Sequence, residues 1–304
     1  MPSSRLLFGL IPWYSLLVVS GMAVAVFLSY LEERRMGLPK DTCLDLALRI
    51  IPFGVLGARL YYVLFSLDEY AADPLGVFRI WEGGLAIYGG VIAGFLTIVI
   101  FARKKRIPLP TLLDMAAPGL VLAQAIGRWG NFFNMEAYGV EITSPAWQFF
   151  PAGVLIDGHW HMATFFYEST LDLCVFCWLW LRRKHRTHPG DTVLAYFLLY
   201  GAARAVIEGF REDSLYLLPG LRVSQLLSIL LCFAVCIVWT CRNPYKRRFW
   251  LLLPSATLDA VLIVHLTGME LGARTLSLVL YGAACIACVL ILSRTGGAPC
   301  RQES

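Results

Sequence analysis

The sequence predicts an all-α polytopic membrane protein with about nine transmembrane helices. Of its 304 residues, 58% are hydrophobic and only 15% are charged, whereas about 25% are charged in a typical soluble protein. Nine apolar runs also approach the length that spans a bilayer. The runs cover roughly residues 13–31, 44–66, 84–102, 110–126, 163–181, 190–208, 222–241, 249–268 and 274–293.

The basic residues give the predicted helices an orientation. Lys and Arg gather in short blocks after alternate apolar runs, beginning with Arg34 and Arg35 and with the block 103–106. The positive-inside rule makes these loops cytoplasmic, which places the N-terminus outside and the C-terminus inside. Because the basic blocks alternate with apolar runs, the net charge of +5 does not indicate nucleic-acid binding.

The chain divides into two predicted parts. Residues 1–242 form a membrane core of seven helices, which includes a cap on the outer face at 130–162. A loop of this length in a compact protein is usually functional, and its aromatic residues suit the membrane interface. Residues 243–304 form an appended C-terminal transmembrane hairpin, which holds few candidate site residues.

The most informative stretch follows the fourth run, where Arg128 is expected to emerge from the membrane. It reads Gly127-Arg-Trp-Gly-Asn-Phe-Phe-Asn-Met-Glu-Ala-Tyr-Gly139. Arginine near hydrocarbon usually needs an anionic partner. Its fork of donors, with neutral amide donors and flexible glycines beside it, suits a phosphate group such as a phospholipid headgroup. The alternative is an ordinary helix cap with an arginine at the membrane edge.

A second cluster lies at the end of the sixth run. Arg204, Glu208 and Arg211 are spaced i, i+4, i+7 and are predicted to share one helix face. Glu208 could then pair with either arginine and orient it. With Arg59, Arg79 and Arg128, these arginines indicate an anionic site facing the outer leaflet. The alternative is a structural ion-pair face between helices.

These motifs resemble those of the bacterial phosphatidylglycerol–prolipoprotein diacylglyceryl transferase family. The stretch from Gly127 matches every fixed position of the family signature Gly-Arg-x-Gly-Asn-Phe-x-Asn-x-Glu-x-x-Gly. Further matches follow in order, including His161–Glu168 and Tyr200–Arg211, and the resemblance covers about residues 12–242. It implies a multi-pass protein of the bacterial cytoplasmic membrane. The implied partners are the bilayer, phosphatidylglycerol and prolipoprotein signal peptides.

The resemblance also implies a reaction and a set of site residues. The diacylglyceryl group of phosphatidylglycerol passes to a cysteine thiol of the prolipoprotein, a thioether forms and glycerol phosphate leaves. Arginines are expected to stabilise the phosphate, and glutamates to orient them or assist proton transfer. No metal or organic cofactor is expected. The expected catalytic residues are Tyr88, Arg128, Glu136 and Arg204, and the expected substrate-binding residues are Tyr14, Asn131, Gly139, Tyr167, Glu208 and Arg211.

One departure from the family leaves alternatives open. Tyr88 stands where the family usually carries histidine, and a phenol is a poor base at neutral pH. Glu136 or His161 could accept the proton instead, while Tyr88 donates a hydrogen bond to the headgroup. The rival interpretations are a non-catalytic paralogue that binds phospholipid or lipoprotein precursors, and a transporter of an anionic solute.

Overall fold

The computed structural model of the protein describes residues 5–71, 73–185, 188–211, 216–218 and 221–242. Seven helices of 18 to 26 residues dominate it, and each overlaps one of the first seven apolar runs. They are α1 (Trp13–Met36), α2 (Thr42–Phe65), α4 (Ile87–Lys105), α5 (Leu109–Asn134), α6 (Thr164–Arg182), α7 (Asp191–Glu208) and α8 (Val223–Arg242). The predicted hairpin, with runs eight and nine, lies outside the described residues.

Short elements connect the long helices. α3 (Leu67–Ala71) and two 3₁₀ turns, Pro74–Phe78 and Ile80–Glu82, lie between α2 and α4. Three antiparallel strand pairs complete the described fold: β1 (Leu6–Leu7) with β2 (Ile11–Pro12), β3 (Gly153–Ile156) with β4 (His159–Met162), and β5 (Tyr216–Leu218) with β6 (Leu221–Arg222). Within the described ranges, three helices, α1, α4 and α5, are long and apolar enough to cross a membrane. The chain is therefore a helical membrane protein.

The described residues form two compact units, one of which comprises Val26–Ala116. Within it α2 packs against α4 through glycines. A Cβ on Gly89 would lie 2.3 Å from the carbonyl oxygen of Gly57, and one on Gly57 would lie 2.2 Å from the Cβ of Ala93. A buried cluster that includes Leu46, Phe101 and Leu112 extends from this contact.

This packing changes the interpretation of the glycines around Tyr88. Four glycines, Gly83, Gly84, Gly89 and Gly90, flank Tyr88, and this pattern predicts a loop at 83–90 whose backbone can place a side chain close to bound lipid. Only Gly83 and Gly84 lie in a loop, with φ of 96° and 69°, because α4 begins at Ile87. Gly89 and Gly90 are helical, and Gly89 has no side chain because α2 occupies that space.

We predict that Gly89→Ala lowers the free energy of unfolding by about 1–3 kcal/mol, the usual effect of overpacking. The obstacle is the Gly57 backbone, which cannot rotate away. Gly94→Ala in the same helix is the matched control, since its Cβ would meet Ile50 at an ordinary 3.5 Å and alanine favours helix. Thermal unfolding in detergent measures both. Equal melting temperatures for the two variants would contradict the close packing.

Arg59 was predicted to contribute to an anionic site, and that prediction is wrong. Its side chain is buried and all five N–H groups donate to backbone carbonyls. Nε bonds Val77 at 2.9 Å, Nη1 bonds Gly83 at 2.7 Å and Gly84 at 3.0 Å, and Nη2 bonds Gly76 at 2.6 Å and Arg79 at 3.4 Å. A guanidinium has five donors, so Arg59 fixes the loop before α4 and has none left for a phosphate.

The other unit holds the described residues up to Ala25 and from Ala117 onward. The first half of α1 packs closely on α5, where a Cβ on Gly119 would lie 2.6 Å from the carbonyl oxygen of Ala25. α7 packs on both α6 and α8, and Gln225 on α8 donates to the carbonyl of Ala205 at 3.2 Å. Ser169 on α6 donates to the carbonyl of Ala125 on α5 at 2.8 Å, so α6 contacts both α5 and α7.

The segment between α5 and α6 folds over the ends of these helices. It was predicted as a cap at 130–162, but α5 continues to Asn134, so the non-helical part begins later. The β3–β4 hairpin lies within it. Thr164 at the start of α6 donates to the carbonyl of Ala137 at 2.6 Å, and the amide of Val140 donates to the carbonyl of Phe210 at 2.9 Å.

Candidate functional site

The signature segment lies on the last two turns of α5. Arg128 was expected where the helix emerges, but the helix extends six residues past it, to Asn134. The backbone then takes left-handed conformations at Met135 and Ala137, with φ of 54° and 56°. Arg128 therefore projects from a helix side, where its charge requires a partner on a neighbouring helix.

That partner is Glu168 on α6. Nε of Arg128 forms an ion pair with Oε2 of Glu168 at 3.0 Å, and Nη1 of Arg204 on α7 donates to Oε1 of the same carboxylate. Glu168 is only 4% exposed. One buried carboxylate thus holds two arginines from two other helices, and charge-assisted bonds of this kind are the strong ones.

Glu168 is not among the site residues that the sequence predicts. A carboxylate inside an apolar run, within a segment that matches the family, was the available signal. Glu136 and Glu208 are both expected to orient the arginines or assist proton transfer, and Glu208 lies 2.7 Å from Nη2 of Arg204. Glu136 instead accepts hydrogen bonds from Nδ2 of Asn131 at 3.0 Å and of Asn134 at 3.3 Å.

The predicted face of Arg204, Glu208 and Arg211 exists only in part. α7 ends at Glu208, and the amides of Phe210 and Arg211 close tighter turns onto Ile207 and Glu208. Arg211 is therefore beyond the helix, and its backbone forms an isolated antiparallel bridge with Gly139. The i, i+4 pair is correct and the i+7 position is wrong.

Aromatic side chains fix α5 against α6 beside the arginines. Trp129 makes edge contacts with the rings of Phe132, Phe165 and Phe166. Its indole N–H donates to Oγ of Ser169 at 3.1 Å. Ser169 lies one residue after Glu168, so this contact fixes the part of α6 that carries the shared carboxylate.

The remaining predicted residues of this unit lie around the cap. Tyr167 donates to the carbonyl of Ala152 and anchors the cap to α6. Gly139 is packed so closely that a Cβ would lie 2.7 Å from the carbonyl oxygen of Phe210. Tyr14 is 40% exposed and its ring lies against Gly130, where a Cβ would be 2.7 Å from Tyr14 Cδ2. Nδ1 of His161 lies 3.1 Å from the carbonyl oxygen of Gly139.

Tyr88 belongs to the other unit. It lies in the first turn of α4 and is 48% exposed. A phenol so exposed is available to a ligand. Over the described ranges, no group of three His, Cys, Asp or Glu side chains is arranged to hold a metal ion.

Fold and site together define a helical membrane protein in which two arginines from neighbouring helices meet on one buried glutamate. A sequence model of the prolipoprotein diacylglyceryl transferase family matches residues 6–241. The chain therefore belongs to the prolipoprotein diacylglyceryl transferase family.

Three similar proteins align with this chain over most of their own length. The phosphatidylglycerol–prolipoprotein diacylglyceryl transferase of Enterococcus faecalis is 44% identical over 254 residues, covering 80% of this chain and 91% of that protein. The protein of the same name from Streptococcus agalactiae serotype Ia is 44% identical over 242 residues, which is 78% of this chain and 92% of its own. The Shouchella clausii protein of that name is 39% identical over 244 residues, or 78% and 86%.

Proposed function

We propose that the protein transfers the diacylglyceryl group of phosphatidylglycerol to the cysteine thiol of a prolipoprotein signal peptide. The observation that carries this proposal is the meeting of Arg128 and Arg204 on Glu168, inside the segments that match the family. Transfer requires stabilisation of a leaving phosphate. Two arginines oriented in advance are suited to that task, because fixed donors stabilise developing charge without having to reorganise.

The chemistry has one bond-forming and one bond-breaking event. The cysteine sulfur attacks the glyceryl carbon that bears the phosphate ester, a C–S bond forms, and the C–O bond to phosphate breaks. The thiol proton leaves because the thiolate is the nucleophile. Charge develops on the departing glycerol phosphate, where Arg128 and Arg204 act.

The other site residues have supporting roles in this proposal. Asn131 and Glu136 form one hydrogen-bonded group at the end of α5, so Asn131 can add a neutral donor to the headgroup. Glu208 orients Arg204. The proposed substrate surface is completed by Tyr14, Gly139, Tyr167 and Arg211. Tyr167 and Gly139 contribute to it by holding the cap in place. Glu136 and His161 remain the candidates for the proton acceptor.

The test is a transferase assay of the purified protein with a prolipoprotein peptide and phosphatidylglycerol. The expected products are the lipidated peptide, detected by mass, and glycerol phosphate. A peptide with serine in place of the acceptor cysteine is the control, because its hydroxyl is a far weaker nucleophile at neutral pH. Binding of lipid and peptide without product formation would favour the non-catalytic paralogue.

We predict that Tyr88 donates a hydrogen bond and is not the general base. Tyr88→Phe should then lower kcat/KM by about 2- to 10-fold, in keeping with one neutral hydrogen bond of about 0.5–1.5 kcal/mol. Tyr88→His should retain or raise activity, since imidazole can both donate and accept. A loss of several orders of magnitude in the phenylalanine variant would show that the phenol itself is catalytic.

We propose that the chain crosses the bacterial cytoplasmic membrane nine times, with its N-terminus outside and its C-terminus in the cytoplasm. The seven long helices up to residue 242 would form the core, the segment between α5 and α6 its outer cap, and residues 243–304 a further hairpin. Confinement of the basic blocks to alternate loops supports this topology. Lipid and signal peptide would then enter sideways between helices.

Cysteine labelling tests the topology. His159→Cys on the cap hairpin and Lys184→Cys after α6 both replace exposed residues. A membrane-impermeant thiol reagent added to whole cells should label position 159 only. The unmodified chain is the control, because Cys174, Cys177 and Cys241 are themselves exposed in the structure. Labelling of both positions from the same side would contradict the topology.

A further inference from the structure

Asp172 is a buried acid without a role in the reaction described above. It lies on α6 four residues after Glu168, so the two side chains share a helix face. The residue is 2% exposed, and its Oδ2 has no hydrogen-bond partner within the described part of the chain. A carboxylate buried without a partner is strongly disfavoured, whereas its protonated form carries no charge to desolvate.

The groups that face Asp172 belong to the proposed phosphate site. Arg128 on α5, Glu168 on α6 and Arg204 on α7 interact with it electrostatically. Two tyrosines on α7, Tyr196 and Tyr200, do so as well. Tyr196 also donates to the side chain of Gln124 on α5 at 3.0 Å, so this polar region continues inward from the arginines.

The charges of this cluster do not suit an anionic ligand unless one acid is protonated. Two guanidiniums, of Arg128 and Arg204, face the carboxyl groups of Glu168, Glu208 and Asp172. With all three acids ionised the cluster is negative and repels a phosphodiester. Glu168 and Glu208 are each paired with an arginine, which stabilises their ionised form. Asp172 is the acid left to carry a proton.

We infer that the site binds an anionic phosphodiester headgroup with Asp172 protonated, so that a proton enters together with the lipid wherever the pH leaves Asp172 ionised in the free protein. The inference rests on the proposed function, because it takes the headgroup to lie at Arg128 and Arg204. Asp172 is a positioning residue: it touches no reacting atom and acts through the field at the two arginines. No bond of the substrate changes in this step, and the proton comes from solvent.

The sign of the pH dependence follows from linkage. An anionic headgroup favours the protonated acid, so the complex holds the proton more tightly than the free protein does. Affinity is therefore highest at low pH and falls as the pH rises, by up to about tenfold per pH unit while Asp172 titrates. Asp172→Asn is neutral at every pH and nearly the same shape as the protonated acid. It should keep the low-pH affinity without the decline.

The experiment measures binding of phosphatidylglycerol to the full chain in detergent across about pH 6 to 9, a range in which perturbed carboxyl groups titrate. Wild type should show the decline and Asp172→Asn should not. Diacylglycerol, which lacks the phosphodiester altogether, should show no such decline with either protein. Asp45→Asn is the control variant, because Asp45 pairs with Lys105 in the other compact unit and its removal should leave the decline intact.

Three results would overturn the inference. The first is the same pH dependence in Asp172→Asn as in wild type, and the second is a flat profile in wild type. The third is a loss of affinity in Asp172→Asn of tenfold or more at low pH, which would show that the ionised carboxylate is required. Wild type that neither binds nor transfers phosphatidylglycerol would refute the proposed function itself. If wild type transfers the lipid and Asp172→Asn shows the same pH dependence of binding as wild type, only the role of Asp172 is refuted.

Discussion

Glu168→Gln should reduce transferase kcat/KM by roughly 10²- to 10³-fold. Loss of one preorganised donor to developing charge typically costs about 10²- to 10³-fold in kcat, and Glu168 positions two such donors. The amide keeps the shape of the side chain but removes the negative charge that Arg128 and Arg204 share, which leaves only Glu208 paired with Arg204. Both guanidiniums then lose the orientation that the shared carboxylate provides.

Two controls distinguish orientation from a general loss of structure. Glu141→Gln removes an exposed carboxylate that pairs with His159 on the cap, and should change kcat/KM by less than about 2-fold, as exposed pairs contribute little. If Glu168 acts by orienting Arg204, the effects of the two substitutions are not independent. The double variant Glu168→Gln/Arg204→Gln should then lose less activity than the product of the fold-losses of the two single variants. Turnover within a few-fold of wild type for Glu168→Gln at equal folded yield would contradict the orienting role.

The helices were predictable because the bilayer requires long apolar segments whatever the packing between them. Each of the seven long helices begins within a few residues of its predicted run. The predicted run ends eight residues before α5 does, because Arg128 and Asn131 are polar on any hydropathy scale. Such a scale contains no information that Glu168, forty residues later, pairs with the arginine. From the local sequence one can infer that burying a charged side chain is unfavourable, but not which distant residue compensates for that free-energy cost.

The errors within the site have the same physical origin. Helical spacing predicts that Arg211 shares a face with Arg204 and Glu208. The helix α7 instead ends at Glu208, and the backbone of Arg211 pairs with that of Gly139. Arg59 was grouped with the site by charge and depth, whereas its five donors are used by the loop before α4. Contacts between segments far apart in the chain decided both cases, and a single sequence contains no local signal for them.

Arg128→Lys should remove most transferase activity although the charge is retained, with a loss of roughly 10²- to 10³-fold in kcat, as when one preorganised donor to a transition-state oxyanion is removed. Arg128 is held through Nε, which lies 3.0 Å from the Glu168 carboxylate in an ion pair. Its two terminal nitrogens remain for a phosphate, a geometry that suits bidentate recognition. Lysine has a single nitrogen, which would be drawn to Glu168. The phosphate would then lose both donors while the net charge of the site stayed the same.

The control for this substitution is Arg49→Lys, an exposed arginine on α2 that lies 3.6 Å from Asp45. It should leave kcat unchanged within about 2-fold, because an exposed pair of this kind contributes little. Single-turnover transfer with saturating phosphatidylglycerol separates the chemical step from lipid binding. A normal single-turnover rate with a raised KM would mean that Arg128 binds the headgroup equally in ground and transition states. Wild-type kinetics throughout would show that a point charge suffices, and that the guanidinium fork has no part in expelling glycerol phosphate.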